Sequence, residues 1–268
     1  MVRDPTPGKA LYKDLKNKDG WTAFHIACRE GHEDVIRYFL DLDASLWQTE
    51  SAVSRTTLHT AVLHGRTEAV KILLEYVSID GVNARDRCGV TPFLDAIKGG
   101  HLKIVKMLIE SHSKTSLEDT LLLDCDAIGR LPLDFAAMFG DSEIFRVVLK
   151  ETAQALETKS GRCEQADERD VNSVNHQCSD YSVKEALLKR NKHFARTPLH
   201  YAALEGHLSV IKIIVEKLLN EVEEKENRRR SVNVDKILVS DDDGKSPIDL
   251  ARIGKHSCCV EFLSRLSA

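Results

Sequence analysis

Apolar residues in this chain recur in short paired bursts rather than in alternating or continuous runs. In Arg196–Val215, RTPLHYAALEGHLSVIKIIV, the residues Leu199, Ala202 and Ala203 share one helical face. Val210, Ile211, Ile214 and Val215 share another. Gly206 lies between the bursts and supplies a left-handed stop. Thr197 stands before the first burst as an N-cap, and Pro198 takes the first helical position, where a missing N–H is harmless. The stretch predicts two short helices joined by a turn. Neither can bury its apolar face alone, so the unit needs copies of itself on either side.

Those copies are present. Aligned on Thr197–His200 are Thr22–His25, Thr56–His59, Thr91–Leu94, Leu131–Asp134 and Ser246–Asp249, at intervals of 34, 35, 40, 66 and 49 residues. A second apolar stripe follows each of them, such as Val35/Ile36/Phe39/Leu40, Ile104/Val105/Leu108/Ile109 and, more weakly, Cys259/Val260/Leu263. The short intervals and the Thr-Pro-Leu-His wording resemble the ankyrin-repeat family, whose period is ~33 residues. The resemblance implies an all-α fold, an ankyrin-repeat solenoid of about six helix–turn–helix repeats with two loop insertions. Residues 1–16 read as a tail or the remnant of a preceding repeat, and 17–268 as the repeat domain, with the insertions near 151–193 and 219–240.

The first repeat, Asp19–Leu40, is as apolar as an internal one, whereas a terminal repeat normally carries a polar outer face. Either the array starts further upstream or something else covers that end. Trp21 follows the first turn and reads as packing on the neighbouring hairpin or as an exposed contact residue. Repeat four departs from the pattern: Leu131 replaces the capping Thr, and Asp134 replaces the His that braces adjacent loops. Met138 and Phe139 end its first helix, at positions related to Leu63 and Leu204 in their own repeats. These four are inter-repeat packing or a shared apolar ridge that binds a partner. Glu157–Asp180 is polar and aperiodic and predicts a mobile loop, with a short helix around Val183, Ala186 and Leu187. Leu219–Ser240 begins as an extended second helix, in which Glu221–Glu226 precede Arg228–Arg230 in the order that the helix dipole favours.

A net charge of −4 with 30% charged residues gives no field to draw nucleic acid or an anionic membrane. No run reaches the ~18 apolar residues of a membrane span. Seven scattered cysteines without a Cys-x-x-Cys pair read as a reducing compartment, the cytosol first and the nucleus second. Cys163, His176 and Cys178 cluster, but their spacing fits no zinc motif. There is no phosphate loop, nucleophile elbow or paired-carboxylate signature. Among the eleven histidines, His25, His59 and His200 hold the motif slot, and His32, His101, His207 and His256 the turn slot; each reads as bonding backbone. The chain therefore reads as a non-catalytic, monomeric interaction module with no cofactor and no metal.

The wording of residues 17–112 carries a finer resemblance. NKDGWTAFHIACREG, LWQTESAVSRTTLHTAVLHGRTEAVKILLE and RDRCGVTPFLDAIKGGH are similar to the ankyrin repeat domain-containing protein 16 family, and the Trp47…Ser51 link is not dictated by the repeat consensus. That resemblance implies a partner, alanyl-tRNA synthetase, and a role in accepting misactivated serine on lysine side chains. It implies Lys18 as an acceptor, whereas Gln48 stands where a second is expected and cannot be acylated in this way. The opening repeats of that family, with a third acceptor, are absent here. An ordinary lysine, with a pKa near ~10.4, is under ~0.1% neutral at pH 7, so only an activated acyl donor held close would react.

Overall fold

The computed structural model describes residues 15–115, 121–161, 177–219 and 237–266. The chain divides into two compact units, Met1–Leu121 and Leu122–Ala268. No strand occurs among the described residues; the one β-feature is an isolated bridge between Glu50 and Thr56.

Among the described residues the first unit holds three helix pairs: α1 (Ala23–Glu30) with α2 (Glu33–Leu42), α3 (Thr57–Leu63) with α4 (Thr67–Leu74), and α6 (Pro92–Lys98) with α7 (Leu102–Thr115). A 3-10 turn, Ala44–Gln48, follows α2, and the one-turn α5 (Ile79–Val82) follows α4. The leading helices α1, α3 and α6 pack in series, and the trailing helices α2, α4 and α7 form a second layer behind them. Each leading helix starts where the sequence places its cap. The hydroxyls of Thr22, Thr56 and Thr91 accept the N–H of His25, His59 and Leu94.

The second unit repeats the scheme with α8 (Pro132–Phe139) and α9 (Ser142–Gly161), α11 (Pro198–Glu205) and α12 (Leu208–Leu219), and α13 (Pro247–Ile253) and α14 (Ser257–Leu266). Helix α10 (Gln177–Leu188) lies between the first two pairs in sequence and packs on both α9 and α12. This corrects the expectation of a loop over Glu157–Asp180 at both of its ends. Helix α9 runs on to Gly161, and α10 begins at Gln177 rather than near Val183. The stripe Ile144/Phe145/Val148/Leu149 continues as Thr152, Ala153 and Ala155, all buried, and small or polar residues do not register as an apolar stripe. Residues 162–176, and the Glu221–Arg230 charge run, lie outside the described residues.

The leading helices are buried more completely than a single-face pattern indicates. Every residue from Thr57 to Val62, from Pro92 to Ile97 and from Pro132 to Ala137 is buried. Helix α3 has α1 and α6 on its two sides and its own trailing helix α4 behind, so no face remains for water. On α1 Ile26 is exposed, as are Val35 and Tyr38 on α2.

Candidate functional site

Surface turns and the ends of the helix pairs carry the polar chemistry of this chain. Each turn is built on one side-chain oxygen. Oδ1 of Asp86 accepts from the N–H groups of Cys88 (2.8 Å) and Val90 (2.9 Å), and Oδ1 of Asp241 does the same for Asp243 and Lys245. Asn17 holds the first turn likewise, through Asp19 and Trp21. This is the Asx-turn geometry that favours Asp and Asn at such positions.

Histidines join neighbouring repeats in both directions. The motif-slot rings look forward: Nδ1 of His59 bonds Thr56 Oγ1 at 2.9 Å, while Nε2–H donates to the carbonyl of Val90 at 3.0 Å. His25 repeats this arrangement with Thr22 and Arg55. The turn-slot rings look back: Nε2–H of His101, His207 and His256 donates to the carbonyls of Leu63, Met138 and Leu204. A glycine permits that approach. A Cβ on Gly140, in the left-handed region at φ +78°, would lie 2.2 Å from Nδ1 of His207. Burial keeps the motif-slot rings neutral, pulling His59 and His200 down to about 4 and lowering His25 as well.

An arginine that precedes three of the caps adds a charged link. Arg55 pairs with the buried carboxylate of Asp95, 40 positions away, and lies 3.5 Å from Asp86; Arg196 Nε donates to Asp241 Oδ2 at 2.9 Å. Arg130 instead closes on Asp126 within its own turn. The sequence reading missed these residues, although their recurrence one place before Thr56, Leu131 and Thr197 is a legible signal.

Repeat four and the closing repeat both place Asp in the histidine slot, with opposite results. Asp134 is fully buried; its Oδ2 accepts the Leu131 N–H at 2.9 Å, and its Oδ1 has no partner among the described residues. Burial, helped by nearby Asp126, pushes its carboxyl up to about 7 against the pull of the Leu131 N–H, Arg130 and Lys189. Asp249 is more open and accepts from both Oγ (2.6 Å) and N–H (3.1 Å) of Ser246, which hold its pKa below the usual value.

Lys18 is exposed in the Asn17–Gly20 turn, and Gln48 is exposed at the end of the 3-10 turn. Trp21 is half-buried; its ring stacks on His25 at 6.3 Å, with the Arg29 guanidinium 5.5 Å from its centre. Leu63, Met138 and Leu204 are half-buried, and what they share is the carbonyl that receives a turn-slot histidine. Phe139 is exposed at 38% and tilts against Phe135 at 6.1 Å. Trp47 lies against Gly81, where an added Cβ would come within 2.4 Å of its ring. Among the described residues no group of His, Cys, Asp or Glu could hold a metal ion, and no helix is long and apolar enough to cross a membrane. Cys163, His176 and the Cys178 side chain lie outside the described positions.

A family model for ankyrin repeats in three copies matches residues 8–86 and 77–159, and a single ankyrin-repeat model matches 196–222. The chain belongs to the ankyrin-repeat family. It is similar to the probable E3 ubiquitin-protein ligase XBOS33 of Oryza sativa subsp. japonica, at 28% identity over 71% of this chain and 37% of the relative. Protein fem-1 homolog A-like of Mus musculus matches at 35% over 38% of this chain and 16% of the relative. The human transient receptor potential cation channel subfamily A member 1 matches at 31% over 53% and 12%. The chain thus spans between 12% and 37% of the length of these relatives. Ankyrin repeats are protein-interaction modules, and the histidine, arginine and Asx links described here are the struts of such a module.

Proposed function

We propose that this ankyrin-repeat module binds alanyl-tRNA synthetase and that Lys18 accepts misactivated serine. The observation that carries the reading is the wording of residues 17–112 combined with the setting of Lys18. That side chain is exposed at a turn and has no hydrogen-bond or ion-pair partner among the described residues. No catalytic group on this chain is required. A seryl-adenylate is an activated acyl donor: the lysine nitrogen attacks its carbonyl carbon, adenylate leaves with the bonding pair, and the amine proton passes to solvent, leaving an amide. Proximity supplies the rate. Ile26, Val35 and Tyr38, exposed on the first helix pair, give the partner an apolar footing.

The test incubates the full chain with alanyl-tRNA synthetase, ATP and serine, followed by peptide mass spectrometry. Serine on Lys18, lost in Lys18→Arg with complex formation retained, supports the reading, and Gln48→Lys gains a second modified position. A complex without seryl-lysine leaves a binding protein alone. A second reading, an adaptor for some other protein, is favoured by the breadth of the relatives, which include a ubiquitin ligase and an ion channel. Absence of any complex with the synthetase selects it.

A further inference from the structure

The insertion between the fourth and fifth helix pairs builds a groove that the repeat pattern itself does not contain. Helix α9 extends over 20 residues, against 8 for α4 in an ordinary pair, and α10 packs beside it and against α12. The three helices enclose a groove of about 420 Å³. Its floor is apolar: Leu149, Ala153 and Ile213 line it, each no more than 5% exposed, with Val183 as a wall. Its rim is basic. Arg146 and Lys150 stand on α9 and Lys217 on α12, all exposed.

The lining residues of α9 run 146, 149, 150, 153, 154 and 157, a single helical face. That face extends about 16 Å, three helical turns. Its cations are open to a ligand. Arg146 and Lys217 have no partner among the described residues, and Lys150 has only the neighbouring Glu151 at 3.8 Å. Glu157, the one acidic residue of the lining, is already engaged within the protein.

A larger groove of about 590 Å³ between α4 and α7 shows the contrast. Lys71 and Lys103 there are both held by Glu68, at 3.9 and 3.8 Å, and Glu75 and Glu110 complete an acidic lining. That groove pairs its own cations. The α9–α10–α12 groove leaves its charges for something else.

We infer that the α9–α10–α12 groove docks an acidic amphipathic helix of a partner protein. Apolar side chains at i, i+3/i+4 and i+7 on such a helix enter the floor, and flanking glutamates or aspartates meet Arg146, Lys150 and Lys217. The groove's length matches about three turns, its apolar floor flanked by cations asks for an apolar stripe flanked by anions, and its walls are secondary structure rather than loops. The inference rests on the reading of the chain as an interaction module, but it does not depend on which protein is the partner.

The experiment uses the full chain and a fluorescein-labelled helical peptide of about 14 residues, with leucines on one face and glutamates flanking them. The control peptide carries lysine in place of each glutamate. Fluorescence anisotropy should show saturable binding of the acidic peptide, weakened by salt, and none of the basic one. The double variant Arg146→Glu/Lys150→Glu should weaken the acidic peptide roughly tenfold or more and admit the basic peptide. Lys217→Glu should weaken it by a smaller factor. Because the three side chains are exposed, these variants keep the fold, which circular dichroism checks. Lys71→Glu/Lys103→Glu in the other groove should leave binding unchanged. Equal binding of both peptides, or an Arg146→Glu/Lys150→Glu affinity within about twofold of the parent, overturns the inference. Binding of dodecanoate without binding of the peptide also overturns it, in favour of a small amphipathic anion. If the double variant still forms the synthetase complex while peptide binding is absent in the parent, the groove inference fails and the interaction module stands.

Discussion

Replacing Asp134 by Asn should change how the stability of the second unit depends on pH, and the size of the change follows from its burial. In the folded chain this carboxyl is pushed up to about 7, against an ordinary value of 3.8. Between those values the folded state holds a proton that the unfolded state has released. The stabilisation is therefore complete below about pH 3.8 and is lost as pH rises through about 7. Linkage over this interval gives a loss of roughly 2–3 kcal/mol between pH 5 and pH 8. The groups that share the site, Asp126, Arg130, Lys189 and Tyr201, are common to both proteins and largely cancel in the comparison. Asn retains an acceptor for the Leu131 N–H but cannot ionise. Urea unfolding should be followed by far-UV circular dichroism, because Trp21 and Trp47, the two tryptophans, both lie in the first unit. The stability difference, Asn variant minus parent, should rise by that amount from pH 5 to pH 8. A difference that stays constant within about 0.5 kcal/mol across the series would refute the assignment of a buried, half-titrated Asp134.

The motif-slot histidines act with the opposite sign. His59 is lowered to about 4, so its stabilisation is present above about 6.5 and disappears as pH falls; by pH 5 the first unit should lose about 2 kcal/mol through this ring, read as a drop in the urea midpoint of tryptophan fluorescence that His59→Gln removes. Arg55→Met should destabilise the first unit by about 3–5 kcal/mol, since Asp95, 1% exposed, is left as an uncompensated buried carboxylate; Arg55→Met with Asp95→Leu should recover most of the loss in the same denaturation assay. Gly81→Ala should place a Cβ 2.4 Å from the Trp47 ring, cost about 1–3 kcal/mol and shift tryptophan emission, while Gly100→Ala, with no atom within 4 Å but φ of +71°, should cost about 1 kcal/mol through backbone strain without moving the emission.

Local periodicity was enough to read the helix pairs, their threonine caps, their glycine stops and the two histidine slots. A cap hydroxyl meets an N–H three residues on, and an apolar stripe repeats within one turn, so both are written within a few positions of each other. The serine-acceptor and partner assignments came from the wording of the chain rather than from its physics, and neighbours in space decide nothing about them until a partner is bound. Other features depended on residues far apart in sequence. Arg55 finds Asp95 at a separation of 40, Asp134 and Asp249 hold one slot yet shift in opposite directions, and Thr152, Ala153 and Ala155 extend α9 without an apolar stripe to announce it. Burial sets the sign of a carboxylate's shift, and burial is a property of whatever packs against it. The α9–α10–α12 groove has the same origin. Its floor and its cations lie on segments separated by the insertion, and only their packing together makes an apolar floor rimmed by Arg146, Lys150 and Lys217.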